Sequence, residues 1–236
     1  ILVAYNTSGE AIYTRDLKVD KAMYVLLEDA FNPNLVKSLE NNPVLVHGGP
    51  FANIAHGCNS IVATKLGMNI ADYVVTEAGF GSELGAEKFL NIKCRQAKIN
   101  PNMIVLVATV RALKHSGIDN LQAHIDHLKL YNIPFCVAIN QFNDDKNEDI
   151  NNIKEYCNKQ GVTCICTNSY QDGGIGSKDL ANYIIETTKD NETKFENVYP
   201  LNMNVTDKMH LIATKVYHAK NVIYSDKALE PLSNMC

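Results

Sequence analysis

Short apolar runs that alternate with helical stretches constrain the fold of this chain most. The runs hold few polar residues and fall at Val44–His47, Tyr73–Glu77, Met103–Val110, Phe135–Asn140, Val162–Thr167 and a shorter candidate, Val222–Tyr224. Unbroken apolar runs are typical of strands covered on both faces, as in a parallel sheet. Helical patterns fill the gaps, at Ala52–Asn69, Leu84–Lys98, Ile118–Tyr131, Asp149–Gln160 and Lys178–Thr187. This order predicts βαβ units and an α/β fold with a mostly parallel, doubly wound sheet.

The two ends of the chain depart from this alternation. Ile1–Tyr5 and Ala11–Thr14 flank a turn-forming Asn-Thr-Ser-Gly segment, which predicts a hairpin. Two helices are expected after the hairpin, near Val19–Phe31 and Pro33–Glu40, and another near Thr206–Tyr217.

These patterns divide the chain into three expected parts. Residues 1–42 hold the hairpin and the helices that lead into the sheet domain, and residues 43–188 form the α/β core. Residues 189–236 form a C-terminal α/β extension that we expect to be truncated. The first residue is Ile rather than Met, and we therefore expect the sheet domain to be incomplete at its N-terminus.

Charge and cysteine content narrow the class of partner. The chain has 22 Lys and Arg against 26 Asp and Glu, a net charge of -4, which argues against duplex DNA or an anionic membrane as its main partner. No segment approaches the roughly 18–20 apolar residues of a membrane span. Seven cysteines without a C-x-x-C pair favour a reducing compartment over a zinc site, so we expect a cytoplasmic protein.

Glycine and polar side chains follow five of the predicted strands. Ligands of open α/β sheets bind beyond the carboxyl ends of the strands, where glycine lets backbone amides approach an anion and the next helix adds its positive end. This clustering predicts a nucleotide or phosphate pocket. The candidates after the first two runs are Gly48, Gly49, His56, Asn59, Gly79 and Gly81.

Several of these candidates also fit a structural role. Gly79-x-Gly81-x-x-x-Gly85 resembles a dinucleotide fingerprint with one residue too many, and a tight strand-to-helix turn would need the same glycines. A nicotinamide oxidoreductase would place an acidic residue at the end of the next strand, where this chain has Arg111. His56 fits a hydrogen-bonded structural histidine as well as a ligand, and His124 with His127 indicates a polar helix face.

Four further residues at strand ends carry specific chemistry. Glu77 is placed to hold magnesium, often through water, or to act as a helix cap or surface acid. Asn140 could bind a base edge or form a turn. Phe142 and Tyr170 could stack on a flat ring or pack their own loops.

Three segments resemble the formate–tetrahydrofolate ligase family. They are residues 43–60 (PVLVHGGPFANIAHGCNS), residues 71–95 (from ADYVVTEAGFG through LGAEKF to IKCR) and residues 107–114 (VATVRALK). The similarity extends over nearly the whole chain. It implies a P-loop NTPase type of α/β domain, usually assembled as a homotetramer, that joins formate to tetrahydrofolate with ATP through formyl phosphate, assisted by Mg²⁺ and a monovalent cation (K⁺ or NH₄⁺).

The resemblance also implies residue roles. Glu77 positions magnesium and, with Arg111, serves catalysis. Asn140 binds adenine, and the glycines with His56 and Asn59 line the nucleotide and phosphate site. Phe142 and Tyr170 hold the pterin ring of the folate.

Departures from the family pattern limit this expectation. The chain contains no G-x-x-x-x-G-K-[ST] phosphate-binding loop, and His115-Ser116-Gly117 follows Lys114 where a longer loop is usual. Tyr170 stands where Trp is common, and Asn143 where Pro often follows the Phe. We therefore expect a fragment of the enzyme that is inactive alone, or alternatively a truncated, non-catalytic paralogue that binds folate or nucleotide.

Overall fold

The computed structural model describes residues 1–49, 56, 58–189 and 192–233. The chain forms two compact units, one of Ile1–Gly49 with Asn59–Val75 and the other of Pro50–Cys58 with Thr76–Cys236. The expected functional division into residues 1–42, 43–188 and 189–236 stays a prediction.

The first unit opens with the predicted hairpin. Strand β1 (Leu2–Tyr5) pairs antiparallel with β2 (Ala11–Tyr13). The Asn6 side-chain oxygen accepts hydrogen bonds from the backbone amides of Ser8 and Glu10, both at 2.9 Å, and so closes the turn. Helix α1 (Asp20–Leu27) and a 3₁₀ turn (Asp29–Phe31) confirm the first predicted helix.

The second predicted helix, Pro33–Glu40, is wrong. Strand β3 (Asn34–Lys37) pairs antiparallel with β4 (Pro43–Val46) around a tight turn in which the Ser38 amide donates to the Asn42 carbonyl at 2.9 Å. The apolar run Val44–His47 therefore belongs to a hairpin and not to the parallel sheet. Helix α2 (Ile61–Ile70) completes the unit.

The second unit is built on a parallel sheet of three strands, in the order β5 (Ile104–Ala108), β6 (Phe135–Asn140) and β7 (Cys164–Thr167). These strands confirm three of the predicted runs and the α/β class. The expected strands Tyr73–Glu77 and Val222–Tyr224 are wrong, because neither segment has a ladder partner among the described residues. The P-loop NTPase type stays a prediction.

Helices lie on both faces of this sheet. On one face, Leu121, Ile125 and Ile153 pack against Val137 and Ile139 in the main core. On the other face, Leu180 lines a groove together with Val107 and Ala138, and the nearby Tyr183 hydroxyl donates to Thr163 at 3.0 Å. The helices are α3 (residues 82–97), α4 (Val110–Ser116), α5 (Ile118–Lys129), α6 (Asn147–Lys159), α7 (Ser169–Asp172) with a 3₁₀ turn (Gly173–Ser177), α8 (Lys178–Thr188), α9 (Val205–Lys215) and α10 (Asp226–Ser233).

Helix α3 is wound mainly as π-helix, over Ser82–Ala86 and Phe89–Cys94. Single-turn π segments occur often at functional sites, and this π-helix begins directly after Gly79 and Gly81, which were predicted to bind phosphate. Within the described residues, every helix is too short or too polar to cross a membrane.

Candidate functional site at the carboxyl edge of the sheet

The carboxyl edge of the parallel sheet gathers three predicted site segments. Thr109 follows β5, and its hydroxyl accepts a hydrogen bond from a backbone amide in the first turn of α4 at 3.1 Å. This cap starts α4 and places Arg111 directly beyond the strand. Asn140 ends β6 opposite Thr167 of β7, and the amide of Gln141 donates to the Thr167 carbonyl at 3.0 Å. The ends of β6 and β7 are thereby fastened together.

A groove of about 400 Å³ runs along one sheet face to this edge. Its apolar floor includes Val105, Val107 and Ala138, and its polar end includes Asn140, Thr167 and Tyr170. Tyr170 is 91% exposed, so its ring is open to a ligand. An apolar floor with a few polar groups at one end fits a flat, polar-edged molecule. The structure thus brings Asn140 and Tyr170 into one groove.

Phe142 lies outside that groove lining and contacts Arg111 instead. The Arg111 guanidinium carbon lies 4.4 Å from the centre of the Phe142 ring, a cation–π distance. The same guanidinium donates to the Asp144 carboxylate at 2.6 Å, and this hydrogen bond lowers the pKa of Asp144. The Asp145 carboxylate accepts from the backbone amide of Phe142 at 2.8 Å and holds the start of the loop. One face of the Phe142 ring is therefore covered by Arg111.

Gly79 and Gly81 form a sharp turn, which we call the glycine loop (residues 78–81). Gly79 and Phe80 both have positive φ, 64° and 54°. The loop turns back on α3, since a Cβ at Gly85 would overlap the carbonyl oxygens of Ala78 and Gly79. Gly85 is thus required for close packing, which is the structural role left open for the Gly79–Gly85 pattern.

Glu77 precedes the glycine loop and is exposed. Its carboxylate accepts no hydrogen bond from a described residue, and it is not a helix cap, because α3 begins at Ser82. The described part of the chain contains no cluster of three or more His, Cys, Asp or Glu residues that could hold a metal. Glu77 could therefore contribute a single carboxylate to a metal that takes its other ligands from water or substrate.

The other predicted nucleotide residues are divided between the units. Gly48 and Gly49 follow β4 in the first unit, with positive φ of 71° and 154°. The Asn59 amide donates to the Leu45 carbonyl at 2.6 Å and accepts from the His47 amide at 3.1 Å, so it braces β4 against the start of α2. Its role in nucleotide binding stays a prediction. Residues 50–55 and 57, within the family-like segment, lie outside the described residues.

His56 lies in the second unit beside two buried groups. Its Nδ1 is 3.3 Å from the sulfur of Cys58, which also accepts a hydrogen bond from Lys93. Lys93 is 1% exposed, and burial lowers the pKa of its ammonium, while burial raises the pKa of the Cys58 thiol. A buried lysine was not predicted from the sequence, where Lys93 stands between ordinary helical residues.

A buried polar network beside the glycine loop was also missed. Ser82, at the start of α3, bonds to His124 and His127 of α5. The chain of contacts continues from His127 Nε2 to the Tyr131 hydroxyl at 3.0 Å and from there to Asn91 at 3.2 Å. His127 is 1% exposed and its pKa is lowered to about 4, mainly by burial. The polar face predicted for His124 and His127 is therefore turned toward other polar side chains, and it is buried at His127.

The sequence matches the profile of formate–tetrahydrofolate ligase over residues 1–236, the whole chain. The chain belongs to this family. Membership supports formate and tetrahydrofolate as substrates and ATP as the energy source at the level of the family. The residue roles within the groove and the glycine loop go further than this match and are proposals.

Proposed function

We propose that the protein ligates formate to tetrahydrofolate at the expense of ATP and forms 10-formyltetrahydrofolate through formyl phosphate. The observation that carries the proposal is the groove at the carboxyl edge, which joins Asn140 and Tyr170 in a member of this ligase family. Its apolar floor fits a planar heterocycle, and the Asn140 amide offers a donor and an acceptor to a ring edge.

The reaction needs charge neutralisation more than acid–base help. A formate oxygen attacks the γ-phosphoryl group, the bond to ADP breaks, and formyl phosphate forms. The N10 amine of the folate then attacks the formyl carbon, phosphate leaves, and N10 loses its proton. Arg111 suits the neutralising role, because one of its N–H groups bonds to Asp144 and the others remain available to phosphate or formate oxygens.

Magnesium fits the residues present through Glu77. Mg²⁺ usually keeps several waters and binds one or two carboxylates together with substrate phosphates, so one exposed carboxylate is enough. Bound there, the ion would supply charge neutralisation to the phosphates. A monovalent cation (K⁺ or NH₄⁺), a homotetrameric assembly and a cytoplasmic location complete the proposal on the basis of the family resemblance.

The pterin would lie between Tyr170 and Phe142. Arg111 covers one face of the Phe142 ring, so the folate would use the other face. Tyr170, exposed at the start of α7, would supply the second stacking surface. Each stack contributes about 1–3 kcal/mol by analogy with base stacking.

Binding measurements on the purified chain test this assignment. We expect Tyr170→Ala to weaken tetrahydrofolate binding by about tenfold or more, as loss of one stacking contact implies, and to leave Mg-ATP binding nearly unchanged. The matched control is Tyr24→Ala, since Tyr24 is an exposed tyrosine on α1 of the other unit. Equal effects of the two substitutions on tetrahydrofolate binding would contradict the proposed pocket.

A second candidate is a non-catalytic protein that binds folate or nucleotide. It is favoured by the lack of G-x-x-x-x-G-K-[ST] within these 236 residues, because that loop and its lysine hold phosphates in P-loop enzymes. The two candidates differ in turnover. Ligand binding without formyl transfer, in a preparation that contains every segment of the expressed gene, would favour the second.

A further inference from the structure

Ser82 connects the glycine loop to helix α5. It directly follows Gly81, is 8% exposed, and its hydroxyl oxygen lies 2.7 Å from Nδ1 of His124 and 3.2 Å from Nδ1 of His127. The histidines follow Ser82 by 42 and 45 residues, so these are tertiary contacts between α3 and α5. They lie at the point where the loop enters its helix.

The hydrogen bonds of the network fit one arrangement best. Ser82 has a single hydroxyl hydrogen, so it donates to one histidine and accepts from the other. If it donates to His124, then His127 donates from Nδ1 and accepts from the Tyr131 hydroxyl at Nε2, and Tyr131 accepts from Asn91. Each hydrogen bond along this chain of side chains, from Asn91 to His124, then has one donor and one acceptor. In the opposite arrangement the Tyr131 hydroxyl hydrogen has no acceptor among these groups.

Of the two histidines, His124 is held less tightly than His127. His127 is buried and fixed by Tyr131, whereas His124 also approaches Glu83, with 3.5 Å between Nδ1 and Oε2. That Glu83 oxygen is buried and accepts no hydrogen bond from the described part of the chain. Because Nδ1 of His124 accepts the Ser82 hydrogen in this arrangement, it has no hydrogen to donate to Glu83, and the hydrogen bond from Ser82 is the one that joins α3 to this histidine.

The glycine loop needs such contacts. Phe80 has positive φ, a conformation that L-residues disfavour and that persists when surrounding contacts hold it. The amides of Leu84 and Gly85 both bond to the Gly81 carbonyl, at 3.1 and 2.8 Å, so the loop and the first turn of α3 move together. An anchor on Ser82 therefore fixes the direction of the loop amides.

We propose that His124 is a positioning residue that acts through Ser82 to hold the glycine loop in the conformation able to bind nucleotide phosphates. The role of the loop rests on the proposed function. The anchoring itself rests on the contacts of Ser82 with His124 and His127 and exists without any ligand.

Hydrogen exchange of the ligand-free chain, read by mass spectrometry, tests the anchor. In Ser82→Ala and in His124→Ala we expect amides of residues 79–86 to exchange about five to ten times faster, while amides of β5 to β7 keep their rates. The double variant should exchange no faster than Ser82→Ala, because loss of the Ser82 hydroxyl already removes the contact with His124. His124→Asn, which keeps a polar atom near the position of Nδ1, should restore part of the protection.

The matched control is His115→Ala, since His115 is an exposed histidine on the neighbouring helix α4. Unchanged exchange over residues 79–86 in Ser82→Ala would overturn the proposal, and so would equal acceleration in His115→Ala. If His124→Ala does not fold, Ser82→Ala and His124→Asn still decide the question.

Mg-ATP binding by the same variants separates this inference from the proposed function. We expect the Kd for Mg-ATP to rise in Ser82→Ala and His124→Ala in proportion to the loss of protection from hydrogen exchange. In His124→Asn this Kd should recover. Failure of the unmodified chain to bind Mg-ATP would refute the nucleotide site, whereas the exchange data alone support or overturn the anchor. Faster exchange of the loop with unchanged Mg-ATP affinity would overturn the link between His124 and phosphate binding.

Discussion

Replacing His127 with Asn should make the protein less sensitive to acid. His127 Nδ1 faces Ser82, and Nε2 faces the Tyr131 hydroxyl, in a site closed to water. Asn keeps an amide near Nδ1 but carries no titrating group. It loses the contact with Tyr131, so we expect a cost of about 1–2 kcal/mol in the free energy of unfolding at neutral pH.

The pH dependence follows from the lowered pKa of His127. Burial disfavours the charged imidazolium, and neighbouring His124 and His218 add to the effect, so the pKa falls from 6.5 to about 4. Between these values the unfolded chain binds more protons than the folded one, and stability falls as the pH falls through this window. At about 1.36 kcal/mol for each pH unit, the loss approaches about 3 kcal/mol near pH 4, with about 2 kcal/mol already lost near pH 5.

Urea unfolding from about pH 7.5 to about pH 5 measures this difference. The chain has no Trp, so far-UV circular dichroism is the suitable signal. The unmodified protein should lose about 2 kcal/mol more than His127→Asn over this range, and the exposed-site control His115→Asn should keep the unmodified slope. Equal slopes for the unmodified protein and His127→Asn would refute the assignment of a neutral, buried His127.

Three further predictions concern the proposed reaction. In the active enzyme, Glu77→Gln keeps the shape of the side chain and removes its charge, so it should weaken the dependence of the rate on magnesium and lower turnover strongly. If turnover and the magnesium titration curve stay near those of the unmodified enzyme, Glu77 is a structural residue. Phe142→Ala should raise KM for tetrahydrofolate by the equivalent of about 1–3 kcal/mol, with little change in KM for ATP. Equal rises in KM for both substrates in Phe142→Ala would indicate that the ring only packs its loop. Tyr170→Trp should leave tetrahydrofolate binding equal or tighter. The 236-residue chain alone should not form 10-formyltetrahydrofolate from ATP and formate, because it contains no G-x-x-x-x-G-K-[ST] loop with its phosphate-binding lysine, and detectable product by chromatography would contradict this.

The parts of the fold that the sequence predicts well are those with strong local patterns. The predicted run Phe135–Asn140 has the same bounds as strand β6. Helix α5 begins at the expected Ile118 and ends two residues before the expected Tyr131. Both segments carry their own burial pattern: a continuous apolar run in one, and the stripe of Leu121, Ile125 and Leu128 in the other. Packing in the structure agrees with these patterns, so local and tertiary preferences coincide.

The failures concern segments whose structure depends on a neighbour. Tyr73–Glu77 has the composition of a strand, but a strand also needs a partner for its backbone groups, and the described chain supplies none there. Asn34–Lys37 became a strand because β4 lies beside it, although its sequence is equally compatible with a helix. A pattern within one segment does not contain information about its neighbour.

The candidate site shows the same limit. Strand ends are predictable from parallel topology, which is why Asn140 and Tyr170 meet in one groove. The contact of Ser82 with His124 depends on how α3 lies against α5, which no spacing rule gives. A weak signal existed, since His124, His127 and Tyr131 follow one another at i, i+3 and i+7 and so form one stripe beside the apolar stripe of α5.

The contact between Arg111 and Phe142 changes what a substitution of Arg111 can show. The guanidinium is predicted to neutralise phosphate charge, yet it also covers one face of a ring proposed to stack on folate. A loss of activity in Arg111→Ala would therefore combine two causes: missing charge and a ring free to turn. Lysine keeps the charge but lacks the flat guanidinium that stacks on an aromatic face and bonds to Asp144 in the same plane. Arg111→Lys therefore distinguishes the two roles of this side chain. A selective rise in KM for tetrahydrofolate would come from the uncovered Phe142 ring. A fall in kcat with both substrates saturating would come from the altered geometry at the phosphoryl group.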